Sequence, residues 1–390
     1  MTALRARAGV NVAAIERNCA RLHAELRRGA ALCAVVKADG YGHGAVQSAA
    51  AALAGGASWL AVATAPEARE LRDAGLLDPP ILVMGALTLD ELREALDANA
   101  DVVVWSEAYV RAVADAGGGR VHVKLDSGMG RLGTRDAELA TRVLSAAGDA
   151  PSVDPVGLMS HFATADEADD DGFFAAQLAT FSRWVEECRR LQPGLIAHIA
   201  NSAAMLRDAA AQFDMVRSGI AVYGMDPFGV DPLARRLEPA LSLTSYVAEV
   251  KPCAAGESAG YGRRFIAERD TWLGVLPIGY GDGWRRDLSN NGEALVAGAR
   301  YPLVGTISMD NVTIDLGVGV AADTEPLRGE RATLIGVDGA ERITAEDVAR
   351  RLRTINYEVT CGLSARVPRA YHRDGAPLAD ARPPAGARDD

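Results

Sequence analysis

The stretch LCAVVKADGYGHG, residues 32–44, begins with five consecutive apolar residues and then becomes polar and rich in glycine. A continuously apolar run of this length is typical of a strand that is buried on both faces. Similar short runs recur before residue 220, at Trp59–Val62, Ile81–Met84, Val102–Val104, Val121–Leu125, Pro155–Met159, Ile196–Ile199 and Met215–Val216. We therefore predict eight strands in this part of the chain.

Segments with apolar residues at helical spacing separate these strands. They are Ala45–Leu53, Ala65–Ala74, Leu89–Leu96, Glu107–Ala116, Ala137–Ala147 and Phe173–Leu191. Eight strands that alternate with helices are typical of an α/β protein with a (β/α)8 TIM-like barrel. An opening helix, Val12–Leu26, precedes the first strand, and Asn11 is its predicted N-cap.

The hydropathy pattern changes after about residue 230. Short strand candidates separated by Gly, Asn and Asp follow at Leu241–Val250, Trp272–Pro277, Ala294–Val296, Tyr301–Val304 and Val312–Leu316. One further helix is predicted, Ala345–Leu352, with Thr344 as its N-cap.

These patterns predict two domains. The barrel occupies residues 8–230, and a mainly β C-terminal domain occupies residues 231–373, with residues 1–10 packing on it. The final stretch, residues 374–390, is rich in Ala, Pro, Arg and Asp, and we predict a disordered tail.

Composition excludes several classes of protein. The chain of 390 residues has a net charge of −11, which argues against a nucleic-acid partner. It lacks both an apolar run of the roughly 20 residues that a membrane span needs and the apolar stretch of a signal peptide. Its five cysteines show no CxxC spacing, so we expect neither a disulfide framework nor a metal site. We predict a cytoplasmic protein without membrane partners.

Polar residues follow several strands, at the end of a barrel where active sites lie. Lys37 follows the first strand, where a desolvated lysine can act as a base or form a Schiff base, although it could be an ordinary loop lysine. Arg131 lies in a Gly-rich loop after the fifth strand and could bind a carboxylate or simply lie at the surface. His161 follows the sixth strand, either as a hydrogen-bonded relay or as a satisfied buried side chain.

The loops after the seventh and eighth strands carry groups that can bind phosphate. Ser202 follows the seventh strand, where it could also cap a helix. Gly219 and Ile220 follow the eighth strand and offer backbone amides. A lysine after the first strand together with such a cradle suggests pyridoxal 5′-phosphate, but aldolase-type Schiff-base enzymes share this combination.

The motifs at these strand ends resemble those of the alanine racemase family, over roughly residues 8–373. AVVKADGYGHG, residues 34–44, resembles the cofactor-lysine signature of that family. Further similar motifs follow in order: DSGMGRLG (126–133), SHFATAD (160–166), ANSA (200–203), MVRSGI (215–220), AGYG (259–262), IGYGDGW (278–284), SMD (308–310) and TINYE (354–358). Together these motifs make the resemblance specific.

The resemblance implies a pyridoxal-phosphate enzyme that interconverts L- and D-alanine and supplies D-alanine for peptidoglycan. It implies a homodimer in which the C-terminal domain of one chain closes the barrel of the other. Lys37 and Tyr261 of the partner subunit would be the two bases, with Arg217 and His161 also in the catalytic centre and His198 behind Arg217. Arg131 and the backbone amide of Met309 of the partner subunit would bind the substrate carboxylate.

The resemblance also implies a set of residues that bind the cofactor. They are Lys37, Tyr41, His161, Asn201, Ser202, Arg217, Gly219, Ile220 and Tyr357. Arg217 would face the pyridine nitrogen of the cofactor, and most of the others would hold its phosphate. Lys124 would be carbamylated, and the resulting anion would orient Arg131.

Thr306 departs from the family pattern, because an arginine of the substrate entryway is expected there. Strict selectivity for alanine is therefore open, and a serine or broad-specificity racemase is an alternative. A non-catalytic pyridoxal-phosphate-binding barrel is less consistent with the roughly 150 residues after residue 230. A decarboxylase on the same barrel should have an acidic partner for the pyridine nitrogen, whereas Arg217 is basic.

Overall fold

A computed structural model describes residues 4–169, 171–318 and 327–378. They form two compact units. The barrel unit spans residues 15–222, and the β unit spans residues 4–14 and 223–378. The β unit thus includes the N-terminal strand β1 (Arg7–Asn11) and resumes at residue 223 rather than at the predicted 231. In the described part of the chain, no helix combines the length and apolar character needed to cross a membrane.

The barrel unit contains eight parallel strands, close to where the sequence predicts them. They are β2 (Ala31–Val35), β3 (Trp59–Val62), β4 (Ile81–Val83), β5 (Asp101–Val104), β6 (Gly119–Lys124), β7 (Val153–Met159), β8 (Ile196–His198) and β9 (Met215–Ser218). Their order is β8-β7-β6-β5-β4-β3-β2-β9. The Asp214 N–H donates to Ala197 O (3.1 Å) and the Arg217 N–H to Ala200 O (3.0 Å). These bonds bring the two ends of the sheet together, so the barrel is nearly closed and the predicted fold class is confirmed.

Side-chain caps fix where several of the connecting helices begin. Thr64 and Thr88 accept hydrogen bonds from the backbone N–H of Glu67 and Glu91, whose carboxylates bond back to the threonine N–H groups. Each such cap contributes about 1 kcal/mol. Apart from the short segment Lys37–Tyr41, the α-helices among the described residues up to 222 are Val12–Ala24, Ala45–Ala54, Ala65–Asp73, Leu89–Asp97, Glu107–Asp115, Ala137–Asp149, Phe173–Leu191 and Ser202–Arg207.

The β unit is built on one large, mostly antiparallel sheet. Its further strands are β10 (Leu241–Tyr246), β11 (Glu249–Cys253), β12 (Ser258–Ala259), β13 (Phe265–Ile266), β14 (Thr271–Leu276), β15 (Glu293–Val296), β16 (Ala299–Val304), β17 (Val312–Gly317), β18 (Arg331–Asp338), β19 (Glu341–Ile343), β20 (Arg369–Arg373) and β21 (Ala376–Pro377). The sheet order is β11-β14-β17-β16-β15-β18-β10-β1-β20-β21, with β19 on β18 and a separate β12–β13 pair. Strand β1 therefore lies between β10 and β20, so residues 7–11 belong to the sheet on which residues 1–10 were expected to pack.

Several details of the β unit differ from the prediction. Leu241–Val250 is not one strand, because the chain changes partner at Val247 and Ala248, whose N–H groups donate to Glu330 O and Val275 O. Six strands were not predicted: β12, β13, β18, β19, β20 and β21. A second helix, Asn356–Cys361, follows the predicted Ala345–Leu352. It has six residues and no side-chain cap, so its local signal is weak.

The start of the predicted tail is part of the sheet. Residues 374–378 include a turn and β21, which pairs with β20. Asn11 contributes here as well as at the helix it was predicted to cap. Its Oδ1 accepts from the Ala13 N–H (3.2 Å), and its Nδ2 donates to Asp374 Oδ1 (2.9 Å). The rest of the predicted tail, residues 379–390, lies outside the described residues.

Candidate active site

Lys37 lies just after β2, where the backbone makes a left-handed turn. Residues 38–41 all have positive φ, between 51° and 59°. This conformation costs roughly 1–2 kcal/mol for each residue with a Cβ, so it must be held from outside. Glu67 Oε1 accepts from the Ala38 N–H (2.7 Å), and Asp39 Oδ1 accepts from the Ala45 N–H (2.9 Å). The turn therefore gives the chain after Lys37 a fixed shape.

Tyr41, at the end of this turn, packs against the loop after β9. A Cβ built on Gly219 would lie 2.4 Å from Tyr41 Oη, so glycine at this position leaves room for the phenol. Ser202 Oγ accepts from the N–H groups of Gly219 (3.0 Å) and Ala221 (3.4 Å). Ile220, between them, is fully buried. The structure thus brings these predicted phosphate-binding residues together as a set of hydroxyl and amide groups that can bind an anion.

Asn201, rather than Ser202, is the N-cap of the helix Ser202–Arg207. Its side-chain oxygen accepts from the Ala204 N–H at 2.9 Å. The interpretation of Ser202 as a plain helix cap is therefore wrong. Because Asn201 supplies the cap, the Ser202 hydroxyl can bond to the loop after β9.

Arg217, in β9, is buried, and its guanidinium is held by two histidines. Nη1 donates to Nδ1 (2.6 Å) and O (3.0 Å) of His198. Nη2 donates to Nδ1 of His161 (3.0 Å) and to Ser160 O (2.8 Å). A guanidinium can only donate, so both imidazoles accept at Nδ1 and carry their proton on Nε2. Burial, reinforced by the charge of Arg217, lowers the pKa of both histidines well below its usual value and keeps them neutral.

These hydrogen bonds occupy both terminal nitrogens of Arg217. Among the described residues, no acceptor bonds to its Nε–H. Burial lowers the pKa of the guanidinium to about 10, so it remains cationic at neutral pH. Arg217 is therefore a fixed cation with one N–H group still available to a ligand.

Lys124, the last residue of β6, is buried beside other cations. Burial, together with Arg217 and Arg131, lowers the pKa of its amine to about 7. Much of the amine is therefore neutral at physiological pH. Asp126 Oδ1 accepts from the Gly130 N–H (3.0 Å), which shapes the loop that carries Arg131. Arg131 itself is exposed.

Four basic side chains, Lys37, Lys124, Arg131 and Arg217, influence one another at this end of the barrel. Lys37, Arg131 and Arg217 each lower the pKa of Lys124, and all four side chains lower that of His161. Their combined charge is suited to a ligand with anionic groups. The hydroxyl and amide groups beside Tyr41 offer the neutral donors that a phosphate also needs.

The remaining predicted site residues belong to the β unit. Tyr261 and Met309 are 73% and 50% exposed, and Tyr357 lies on the helix Asn356–Cys361. Thr306 Oγ1 donates to the backbone oxygen of Tyr261 at 2.7 Å. The phenol of Tyr261 and the thioether of Met309 are thus accessible at the surface of this unit.

Asp101 and His122 were not identified by the sequence analysis, although both lie in the barrel. Both side chains are buried, and His122 is hydrogen bonded to Asp101 and to His198. A signal was present in the sequence, since Asp101 begins a strand whose other residues are valines and His122 lies between two buried valines. A polar side chain in a strand buried on both faces requires a partner, and that requirement could have drawn attention to them.

Two family profiles match the chain in succession. The profile described as alanine racemase, N-terminal domain, matches residues 10–227, and the profile described as alanine racemase, C-terminal domain, matches residues 240–371.

Individual relatives agree over almost the whole chain. The alanine racemase of Halalkalibacterium halodurans is 42% identical over 352 residues, which are 88% of this chain and 89% of that protein. The solved alanine racemase of Streptomyces coelicolor A3(2) is 37% identical, with a TM-score of 0.88, covering 94% of this chain and 97% of that chain. The solved alanine racemase of Bartonella henselae, described with covalently bound pyridoxal phosphate, is 28% identical, with a TM-score of 0.83. This match covers 94% of this chain and 99% of that chain.

Proposed function

We propose, because this chain belongs to the alanine racemase family, that it interconverts L-alanine and D-alanine with pyridoxal 5′-phosphate as its cofactor. Racemisation removes the α-proton from one face of the amino acid and returns a proton to the other. It therefore needs acid–base groups on both faces, a site for the carboxylate and an electron sink. Each requirement can be matched to particular residues of this chain.

The residues of the barrel unit fit pyridoxal phosphate. Lys37 provides an amine for covalent attachment at the end of a strand. The groups of the barrel unit that would bind the phosphate are Tyr41, Ser202, Gly219 and Ile220, with Asn201 capping the helix that begins at Ser202. The family resemblance adds Tyr357 to this set. When bound, the cofactor stabilises the negative charge that develops at the α-carbon of the amino acid. The cationic cluster around Lys124 supports this assignment, because the phosphate and the substrate carboxylate are both anionic.

The hydrogen bonding of Arg217 is the observation that most favours racemisation over transamination. Its terminal nitrogens are bonded to acceptors, so its Nε–H is the donor left for the pyridine nitrogen. A guanidinium keeps its proton, and the pyridine nitrogen would therefore stay unprotonated. This weakens electron withdrawal by the cofactor and disfavours transamination, in which the substrate nitrogen passes to the cofactor. A carboxylate at this position would have the opposite effect.

The two bases would be Lys37 and Tyr261 of the partner subunit, as the family resemblance implies. An unperturbed tyrosine has a pKa of about 10, so a tyrosine base needs a group that stabilises its anion. His161 can be that group. Its Nδ1 accepts from Arg217, so its Nε2–H is a donor for the phenolic oxygen.

Arg131 and the backbone amide of Met309 of the partner subunit would bind the substrate carboxylate. We propose that the neutral amine of Lys124 adds to carbon dioxide, forms an N–C bond and releases a proton. The resulting carbamate carries a negative charge and would orient the Arg131 guanidinium. The pKa of about 7 supports this step, because only the unprotonated amine is nucleophilic.

Tyr261 and Met309 would act across a homodimer interface, and their exposure in the β unit is consistent with contact with a second chain. We place the activity in the cytoplasm, where the D-alanine formed would serve peptidoglycan synthesis. These assignments rest on the family resemblance.

The direct test is to incubate the purified protein and cofactor with L-alanine and to measure D-alanine by chiral chromatography. L-serine in a parallel reaction distinguishes an alanine racemase from a broad-specificity one. Borohydride reduction followed by peptide mass spectrometry should locate the cofactor on Lys37, which is one of only three lysines in the chain. Lys37→Ala should lose both the D-alanine product and the cofactor-labelled peptide. Lys251→Arg, which changes an exposed lysine, should keep both. Absence of D-alanine from the wild-type reaction would reject the proposal.

A further inference from the structure

A row of polar side chains extends from Arg217 through the interior of the barrel. His198 Nε2 lies 2.8 Å from His122 Nδ1, and His122 Nε2 lies 3.1 Å from Asp101 Oδ2. Arg120 ends the row, donating from Nε to Asp101 Oδ1 (3.0 Å) and from Nη2 to Oδ2 (3.1 Å). All of these side chains except that of Arg120 are buried.

The two ends of the row determine the direction of every hydrogen bond in it. Arg217 can only donate, so Nδ1 of His198 accepts and the proton of His198 lies on Nε2. That N–H donates to His122 Nδ1, which leaves the His122 proton on Nε2. The Nε2–H of His122 donates to Asp101, whose carboxylate can only accept. Neither histidine can adopt its other tautomer without placing a donor against a donor.

The packing of the barrel accommodates this row. A Cβ built on Gly157 would lie 2.0 Å from His122 Nδ1, so the adjacent strand has a glycine where the imidazole passes. Trp59 contacts the same ring edge to face, at 5.7 Å between centroids. Burying polar groups is costly unless each is hydrogen bonded, and here the successive bonds satisfy both nitrogens of both rings.

We infer that Asp101 and His122 are positioning residues for the proposed reaction: they fix the tautomer of His198 and, through it, the orientation of the Arg217 guanidinium. The inference rests on the proposed function, because there Arg217 faces the pyridine nitrogen of the cofactor. If the row is broken, His198 can present Nδ1–H towards Arg217, and the guanidinium loses an acceptor and moves. The guanidinium then no longer holds the pyridine nitrogen in its unprotonated state, so the cofactor withdraws electrons more strongly and transamination increases.

Two variants interrupt the hydrogen bonding of the row at one residue each. In Asp101→Asn, the amide oxygen stays with Arg120 and the amide NH2 donates to His122, which reverses both imidazoles. His122→Phe keeps a ring beside Trp59 and Gly157 but removes both nitrogens. Asp97→Asn is the matched control, since it removes the charge of an exposed aspartate in the same unit.

The first readout is the ¹⁵N NMR spectrum of histidine-labelled wild-type holoenzyme. His198 and His122 should both be neutral, protonated on Nε2, and assigned by the loss of their signals in His198→Gln and His122→Phe. Protonation of His198 on Nδ1 would overturn the inference. This spectrum does not depend on catalysis, so it still tests the inference if the wild-type protein fails to racemise alanine and the proposed function is rejected.

The second readout is the amount of pyruvate formed per D-alanine formed from L-alanine. In the side reaction, alanine is oxidised by two electrons to pyruvate, while the cofactor aldehyde takes up its amino group and is reduced to the amine. This ratio does not change if a variant merely lowers the amount of folded enzyme. It should rise about tenfold in Asp101→Asn and His122→Phe, the size expected for loss of one hydrogen bond to a charged group, and stay unchanged in Asp97→Asn. An unchanged ratio in both row variants would overturn the inference.

Discussion

The hydroxyl of Thr306 donates a hydrogen bond of 2.7 Å to the backbone oxygen of Tyr261. The two loops that carry these residues pack closely, because a Cβ built on Gly260 would lie 2.7 Å from the Thr306 nitrogen. Gly260 also has a φ of +74°, which favours glycine. At the position where an arginine was expected, this chain therefore has a side chain that anchors the backbone of the proposed base.

Thr306→Val should lower the rate of alanine racemisation while leaving cofactor binding unchanged. Valine keeps the shape of threonine but cannot donate, so the Tyr261 loop loses one anchor. A single neutral hydrogen bond is worth about 1 kcal/mol, which corresponds to a loss in kcat of roughly fivefold. Steady-state kinetics with L-alanine provides the measurement. Thr306→Ser, which retains the hydroxyl, should behave like the wild type, and equal losses in both variants would contradict the anchoring role.

Gly219→Ala should weaken cofactor binding. The added Cβ would lie 2.4 Å from Tyr41 Oη and displace the phenol from the proposed phosphate site. Such overpacking typically costs about 1–3 kcal/mol, so the Kd for pyridoxal phosphate should rise roughly tenfold or more, as measured by fluorescence titration of the apoprotein.

Gly148→Ala is the control for this substitution. Gly148 lies in the helix Ala137–Asp149, and its added Cβ would meet nothing closer than 3.9 Å. Cofactor affinity should not change, and alanine in a helix should stabilise the fold by up to about 1 kcal/mol. Equal affinities for pyridoxal phosphate in the wild type, Gly219→Ala and Gly148→Ala would place the cofactor phosphate away from Gly219.

Tyr261→Phe should separate the two proposed bases. It removes the ionisable oxygen and should reduce racemisation by about 10²–10⁴-fold. If Lys37 serves D-alanine and Tyr261 serves L-alanine, the variant in deuterated water should still exchange the α-hydrogen of D-alanine, whereas exchange from L-alanine should nearly stop. NMR of each enantiomer over time measures both rates. Equal exchange from the two enantiomers would indicate a single base that reaches both faces.

Mixing Lys37→Ala with Tyr261→Phe tests whether the site is shared between chains. Each variant alone should be inactive. If Tyr261 acts in the partner's barrel, heterodimers have one site with both defects and one intact site, so activity should return in part after subunit exchange. Native mass spectrometry verifies the exchange. Inactive but verified heterodimers would mean that each chain supplies both bases of its own site.

Carbamylation of Lys124 should depend on pH in the direction set by its pKa of about 7. Burial favours the neutral amine, so the reactive form predominates above pH 7 and is lost as the pH falls below it. With ¹³C-bicarbonate, a carbamate signal should be present by ¹³C NMR at about pH 8 and much weaker at about pH 6. Lys124→Arg should abolish the signal and Lys251→Arg should leave it. Persistence of the signal in Lys124→Arg would assign it to another amine.

The barrel could be predicted from the sequence because its signals are local. A strand buried on both faces is a continuous apolar run, and a connecting helix has apolar residues at helical spacing, so each element is identifiable by itself. The position of Lys37, directly after the first such run, followed from the same pattern. The short helix Asn356–Cys361 could not be predicted, because six residues without a side-chain cap carry little local preference.

The sequence by itself thus determined the order of the barrel elements and the residue types at their ends. Only the tertiary structure decided that Arg217 is bonded to His198 and, through His122, to Asp101, since these residues come from four strands that meet when the sheet curves round. It also decided that the pKa of Lys124 is lowered to about 7, because desolvation and the charges of Arg217 and Arg131 depend on distances across the barrel. Hydropathy patterns record which side chains are buried, whereas hydrogen bonding and charge coupling arise between residues far apart in the chain, and these contacts set the chemistry of the site.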